Sequence, residues 1–172
     1  SGGRTVVFDS LIDWTTHKEE EIKHYSGTAK YETSFKVDRK MLADDTVCML
    51  DLGEVNIAAS VIVNDKDLGV VWMKPHVIDI SSAIKSGKNT LKIELTNQWT
   101  NRLIGDEHFP DGTGYHAGPS KEMPDWFIKN EPAPLKKRST FTTFNFYTKD
   151  SELIPAGLVG PVQLKFSKVF KL

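Results

Sequence analysis

Hydrophobic and polar residues alternate along much of the chain with a period of two. In one segment Tyr31, Thr33, Phe35 and Val37 fall on one side, and the residues between them are charged or polar. The same alternation recurs at 91–96 and 162–167. This period is typical of strands that bury one face against a second layer. Further strands are predicted at 47–52, 58–63, 68–72, 76–80 and 140–147.

Turn signals and one helix signal lie between these strands. The polar run 64–67 (Asn-Asp-Lys-Asp) favours a hairpin connection, because Asn and Asp tolerate left-handed backbone angles. One short helix is predicted to be capped by Ser81 or Ser82 and to end at Gly87. By contrast, residues 101–138 carry many Gly and Pro residues and have no sustained period, which predicts a long irregular loop.

These elements predict an all-β fold, a jelly-roll β-sandwich with one short helix and the long loop 101–138. Residues 14–172 are expected to form a single jelly-roll domain. Residues 1–13 form an N-terminal segment, in which Ser1-Gly2-Gly3 is interpreted as an expression remnant.

Charge and cysteine content exclude several classes of function. The 22 basic and 23 acidic residues give a net charge of −1, so no overall field attracts nucleic acid or an anionic membrane. The one cysteine, Cys48, lies in an apolar stretch and is expected to be a small buried hydrophobe. It permits no disulfide within the chain and does not identify the compartment.

Catalytic and metal-binding patterns are weak. Glycoside hydrolysis needs two carboxylates, and candidates occur at Asp106, Glu107, Asp111, Glu122 and Asp125, but their spacing selects no pair. The five histidines are scattered, without metal-ligand spacing. No metal or cofactor is therefore predicted. A structural calcium ion stays open, because sandwiches of this kind often hold one and backbone ligands leave no sequence signature.

Sugar binding fits the residue types better, because carbohydrate sites combine an aromatic face with planar polar groups. The segment 97–102 supplies both at the end of a predicted strand, and Trp72 ends another. The alternative is that Trp72 and Trp99 are core residues and that Arg102 holds a loop carboxylate. The candidate carbohydrate-binding residues are Trp72, Asn97, Trp99, Asn101, Arg102, Asp106 and Glu107.

Three stretches resemble the sugar-binding jelly roll of glycoside hydrolase family 2. They are GTAKYETSF (27–35), AASVIVNDKDLGVVWMKPHVIDIS (58–81) and GKNTLKIELTN (87–97). Four others are similar to the C-terminal galactose-binding-like domain of glycoside hydrolase family 106. They are NQWTNRLIGDE (97–107), MPDWF (123–127), FTTFNFYTKDSELIPAGLVGPV (141–162) and the region around Trp14.

The resemblance implies a noncatalytic, carbohydrate-associated accessory domain of an α-L-rhamnosidase-like enzyme that degrades plant polysaccharide, often in gut Bacteroidetes. It implies that the catalytic carboxylates lie on a separate barrel domain and that the protein is secreted or periplasmic. The expected partners are carbohydrate and that catalytic domain, and neither nucleic acid nor a membrane. Two alternatives remain, a purely structural domain that buttresses the barrel and a small standalone hydrolase that uses loop carboxylates.

Overall fold

The computed structural model describes residues 5–109, 123, 125–132, 137–140, 142 and 146–169. Strands dominate this part of the chain. They are β1 (Thr28–Val37), β2 (Thr46–Asp51), β3 (Glu54–Val55), β4 (Ala58–Val63), β5 (Lys66–Val71), β6 (Val77–Asp79), β7 (Gly87–Thr96), β8 (Leu158–Gly160) and β9 (Gln163–Lys168). The α-helices are α1 (Glu20–Lys23), α2 (Thr100–Asp106) and α3 (Asp125–Ile128), and 3₁₀ turns occupy Trp14–Thr16 and Arg39–Met41.

The strands pair into antiparallel sheets. One sheet has four strands in the order β1-β7-β4-β5, a second has three in the order β6-β2-β9, and β3 pairs with β8. The long strands β1 and β7 pair from Thr28 opposite Thr96 to Val37 opposite Gly87. This arrangement confirms the predicted all-β sandwich.

The predicted alternation produces the core. Along β7, the side chains of Leu91, Ile93 and Leu95 are buried, and those between them are more exposed. Each large apolar side chain buried in this way contributes roughly 1.5–3 kcal/mol to stability. Cys48 is buried in β2, as predicted, and burial raises the pKa of its thiol to about 11.

The predicted hairpin joins β4 to β5. Asn64 and Asp65 adopt φ values of 50° and 64°, the left-handed angles that a two-residue turn between antiparallel strands requires. The Nδ2 of Asn64 donates to the Oδ1 of Asn89 at 2.7 Å. Asn89 is fully buried, accepts a hydrogen bond from the backbone of Lys85, and donates to the carbonyls of Lys85 and Gly87. This amide cluster fixes the hairpin to the start of β7.

The chain divides into two compact units. The sandwich unit comprises Ser1–Asp13, Gly27–Asn97 and Pro155–Leu172, and the second unit comprises Trp14–Ser26 and Gln98–Ile154. The first contains the strands and the second contains the α-helices. The interpretation of 14–172 as one jelly-roll domain stays a prediction.

Three predicted elements are wrong in the described residues. The segment after Ser81 is a single turn: the Ser81 hydroxyl donates to Asp79 and accepts from the Cys48 amide, and Gly87 begins β7. Residues 101–138 are not irregular throughout, because they include most of α2 and all of α3. In the predicted strand 140–147, the described residues 140, 142, 146 and 147 are outside any strand, and 141 and 143–145 lie outside the described residues.

Candidate carbohydrate-binding site

The second unit gathers five of the seven predicted sugar-binding residues along and beside α2. Trp99 precedes the helix, Asn101, Arg102 and Asp106 lie within it, and Glu107 follows it. The other two, Trp72 and Asn97, belong to the sandwich unit.

Asp106 anchors a distant backbone segment. Its side chain is 0% exposed. Its Oδ2 accepts hydrogen bonds from the amides of Ser139 (2.9 Å) and Thr140 (2.7 Å) and from the Thr140 hydroxyl (2.7 Å). A buried carboxylate requires several such donors, because burying an unpaired charge is costly. Asp106 thus holds the segment at 139–140 against α2.

Arg102 faces the other oxygen of the same carboxylate. Its Nη2 lies 2.8 Å from the Oδ1 of Asp106, one helical turn further along the chain. The two groups lack the alignment of a hydrogen bond, and the Nε of Arg102 is also buried without a hydrogen-bond partner. The attraction between the opposite charges of Arg102 and Asp106 therefore holds the pair together. Arg102 therefore holds a carboxylate of its own helix and not the loop carboxylate that the alternative supposed, and 21% of its side chain remains exposed.

Trp99 lies on the surface of the second unit. Its side chain is 73% exposed, so it is not part of the core. Its backbone is already helical (φ −79°, ψ −14°), and Arg102 follows three residues later. Residues three apart in a helix share a face. The exposed side chain of Trp99 and the partly exposed side chain of Arg102 therefore start from the same face of the helix.

Asn101 and Glu107 are occupied by contacts within the second unit. The Nδ2 of Asn101 donates to the carbonyl of Ile154 at 2.6 Å, and its Oδ1 accepts from the same residue's amide at 2.9 Å. The Oε1 of Glu107 accepts from the Nη2 of Arg138 at 2.7 Å. These contacts organise the unit, and a sugar contact by either residue stays a prediction.

A buried histidine that the sequence analysis does not select packs against α2. The Nδ1 of His24 lies 3.1 Å from the carbonyl oxygen of Glu20, and its ring centroid is 5.6 Å from that of His108. A Cβ added to Gly105 would lie 2.6 Å from His24, so this approach requires glycine. Burial lowers the pKa of His24. The isolated glycine within a helix is the one sequence signal for this contact.

Trp72 and Asn97 end two strands of the same sheet. Trp72 follows β5 and is 65% exposed, which excludes it from the core. Asn97 follows β7 and is buried, and its Oδ1 accepts from the Gly27 amide at 2.8 Å. Asn97 therefore closes the end of the β1–β7 pair.

The carboxylates considered for catalysis are not assembled into a pair in the described residues. Asp106 and Glu107 are bound to arginines, and Asp125 is exposed, 3.2 Å from Lys129. Asp111 and Glu122 lie outside the described residues. In the part of the chain that the structure describes, no cluster of three or more His, Cys, Asp or Glu side chains could hold a metal ion. No helix there is long and apolar enough to cross a membrane.

Comparison with known families and sequences gives a consistent result. Residues 7–133 match the family described as glycosyl hydrolase 2 galactose-binding domain-like. The chain is 40% identical over 159 residues to the protein named "Putative beta-glucuronidase" from Formosa agariphila. That match covers 92% of this chain and 14% of the relative, so the chain spans about a seventh of the relative's length.

Solved structures show the same fold. A rhamnosidase from Novosphingobium sp. PP1Y is 32% identical with a TM-score of 0.70, and the match covers 90% of this chain and 12% of that protein. A beta-glucuronidase from Bifidobacterium dentium is 21% identical with a TM-score of 0.54, over 90% of this chain and 23% of that protein. The second likeness concerns the fold alone.

Proposed function

Because the chain belongs to the glycosyl hydrolase 2 galactose-binding-like family, we propose that it is a noncatalytic, carbohydrate-associated accessory domain of a larger glycoside hydrolase. The chain is about a seventh of the length of one relative and about an eighth of another. A separate catalytic domain would then carry the two carboxylates that glycoside hydrolysis requires.

The exposure of Trp99, three residues before the partly exposed Arg102, is the observation that carries the sugar-binding role. An exposed indole face can pack against the C–H surface of a pyranose ring. A guanidinium group donates hydrogen bonds in a fixed plane that suits hydroxyl or carboxylate oxygens. The buried Asp106 holds Arg102 2.8 Å away, so the site needs little ordering before a sugar binds.

The similar proteins also suggest the type of enzyme, its substrate and its location. We infer a rhamnosidase-like enzyme that acts on plant polysaccharide and is secreted or periplasmic in a member of the Bacteroidetes. Polysaccharide hydrolases meet their substrates outside the cytoplasm, which supports this location. The similar proteins carry the names of a rhamnosidase and a beta-glucuronidase. The panel of test sugars must therefore include both neutral and acidic sugars.

An NMR titration of the labelled chain tests the proposal. The panel contains rhamnose, galactose, galacturonic acid, glucuronic acid and pectic oligosaccharides. We expect binding in the millimolar range, about −4 kcal/mol, with shifts clustered at Trp99 and Arg102. Trp99→Ala should abolish the shifts, and Arg102→Lys should weaken them because lysine lacks the planar donors. Flat spectra across the panel would contradict a sugar-binding role.

A structural role is the second candidate, and the exposure of Trp72 favours it. Trp72 is 65% exposed and its neighbours Val70 and Met73 are exposed too, so together they offer an apolar surface that a neighbouring domain could cover. In the same titration, Trp72→Ala separates the two roles at this position. If Trp72 contacts sugar, this variant should lose part of the binding, and if Trp72 contacts protein, binding should be unchanged.

A further inference from the structure

A second exposed aromatic residue of the second unit lies on the segment that contacts the chain beside Trp99. Tyr25 comes just after α1, and its side chain is 37% exposed. The hydroxyl of the next residue, Ser26, donates to the backbone carbonyl of Gln98 at 3.1 Å. Gln98 directly precedes Trp99, which is 73% exposed. This hydrogen bond joins residues 72 apart in the chain, and an exposed aromatic residue adjoins it on each segment.

A second contact fixes where Tyr25 lies along α2. The residue before it, His24, packs against the helix at Gly105, where carbon atoms of the histidine lie 2.6 Å from the position of an added Cβ. The residue after it, Ser26, is bonded to Gln98 just before the helix begins. Consecutive Cα atoms are only about 3.8 Å apart. The backbone of Tyr25 is therefore held alongside α2, between these two contacts.

The ring of Tyr25 has a fixed support. It packs against Trp14 with 5.6 Å between the ring centroids and 75° between the ring planes, an edge-to-face contact. Trp14 is buried, and the amide of Tyr25 donates to the carbonyl of Ile22 at 3.0 Å. A ring that is held in place before a ligand binds loses little conformational entropy on binding.

A planar polar side chain belongs to the same junction. Gln98 is exposed, and the bond from Ser26 uses its backbone carbonyl. Its side-chain amide makes no hydrogen bond to any residue that the structure describes. An amide both donates hydrogen bonds to hydroxyl groups and accepts them. Carbohydrate sites combine such groups with aromatic faces, so the junction has the composition of a sugar subsite.

We infer that Tyr25 and Gln98 form a second sugar subsite beside Trp99, so that the ligand is an oligosaccharide of at least two sugar units. The inference rests on the proposed function in one respect, that Trp99 contacts a sugar. Each exposed aromatic ring can pack against one pyranose ring. The two rings belong to different segments, and the amide of Gln98 lies at the junction of these segments to bond the hydroxyls of the second sugar.

A titration of the labelled chain with sugars of different length tests the inference. Rhamnose, galactose, glucuronic acid and galacturonic acid are each compared with the disaccharide of the same sugar. For the sugar that binds, we expect the disaccharide to bind at least tenfold more tightly than the monosaccharide, which corresponds to about 1.4 kcal/mol. Tyr25→Ala should reduce the affinity for the disaccharide to that for the monosaccharide and leave the latter unchanged. Trp99→Ala should abolish the binding of both.

The outcomes separate this inference from the proposed function. Equal affinities of the natural sequence for the two lengths would overturn the inference and leave the sugar-binding role in place. Equal weakening of both ligands by Tyr25→Ala would also overturn it, since the two rings would then hold a single sugar. Flat spectra for the whole panel would contradict the proposed function, and the inference with it.

Two further variants distinguish a sugar contact from a loss of packing, because Tyr25→Ala also removes the contact with Trp14. Tyr25→Phe keeps the ring and should retain the affinity for the disaccharide. Tyr25→Leu keeps an apolar contact with Trp14 and lacks the ring, so it should lose as much affinity as Tyr25→Ala. Gln98→Ala should weaken the disaccharide alone, by roughly threefold. Full affinity of Tyr25→Leu for the disaccharide would overturn the inference.

Discussion

Two carboxylate–cation pairs in the second unit have the same spacing and opposite environments. Asp106 is buried beside Arg102, and Asp125 is exposed beside Lys129. We expect Asp106→Asn to lower the free energy of unfolding by about 3 kcal/mol, because it leaves Arg102 without its counter-charge. Asp125→Asn is the matched control and should cost at most about 0.5 kcal/mol. Urea unfolding followed by tryptophan fluorescence measures both values, and similar losses would contradict the role assigned to burial.

His24 makes stability depend on pH. Burial lowers its pKa below the usual 6.5, and Lys23 and Arg102 act in the same direction, whereas the carbonyl and carboxylate of Glu20 oppose them. Its other close neighbour is His108. The unfolded chain therefore binds a proton at a higher pH than the folded chain. The stabilising contribution is complete above pH 6.5 and decreases as the pH falls towards the folded pKa.

The variant His24→Gln isolates this effect because glutamine does not titrate. We expect the free energy of unfolding of the natural sequence to exceed that of the variant most at pH 7.5. The difference should shrink by pH 5. Urea titrations at both pH values measure it. If the difference in free energy of unfolding between the two proteins were the same at both pH values, the histidine would contribute by packing alone.

At the residue scale, the sequence offered a carboxylate partner for Arg102 as one of two alternatives, but not which carboxylate. The partner is Asp106, which lies four residues further along the same helix and not in a loop. The bond between Asn101 and Ile154 joins residues 53 apart, and no local pattern reports such a contact. For the same reason, periodicity could not decide whether Trp72 and Trp99 are buried or exposed, which depends on neighbours supplied by the tertiary fold.

At the scale of elements, the β4–β5 hairpin depends on a buried amide cluster. Asn89→Ala removes the partners of the Asn64 side chain and of backbone groups at Lys85 and Gly87. Leaving several buried polar groups unpaired should cost about 2–4 kcal/mol. Asp65→Gly, in the same turn, is the control and should cost nothing, because glycine adopts φ 64° readily. Thermal unfolding of the two variants measures the difference in stability. A large loss of stability for Asp65→Gly would contradict the role assigned to the buried amide cluster.

Helix α2 contains a glycine that is required by its neighbour. Gly→Ala within a helix ordinarily stabilises by about 1 kcal/mol. A Cβ at position 105 would lie 2.6 Å from His24, so Gly105→Ala should instead destabilise. In the double variant with His24→Gly, both contacting carbon atoms of His24, Cβ and Cγ, are absent, so the alanine at 105 should destabilise less than it does beside the histidine. A double-mutant cycle of unfolding free energies measures this coupling, and strictly additive losses would contradict the proposed contact.

The same residues explain why strands were predicted better than helices. The strands β1 and β7 each carry an alternation that a two-layer fold enforces. Helix α2 begins at Thr100, the preceding Trp99 offers no side-chain cap, and the helix contains Gly105, so its capping signal and its helix propensity are both weak. The helix predicted after Ser81 had a suitable cap, but that hydroxyl is used by Asp79 and Cys48. Tertiary contacts overrode the local preference in both places.

At the scale of the whole molecule, the two units are interleaved along the chain. The segments Trp14–Ser26 and Gln98–Ile154 of the second unit are separated by Gly27–Asn97 of the sandwich unit. When the sandwich unfolds, this long connection becomes flexible, and holding the two segments together then carries an added entropic cost. We therefore expect the two units to unfold in one cooperative transition.

Two spectroscopic probes, one in each unit, test this expectation. Cys48 is the one cysteine of the chain and is buried in the sandwich unit, so its reaction with a thiol reagent reports opening of that unit. Its thiol pKa of about 11 also keeps it unreactive in the folded state. With Trp72→Phe, the remaining tryptophans all belong to the second unit. Coincident urea midpoints for thiol labelling and fluorescence would support a single domain spanning 14–172. Separate midpoints would mean that the second unit unfolds independently of the sandwich unit, and the Trp99 site could then be lost by mild heating while the sandwich stays folded.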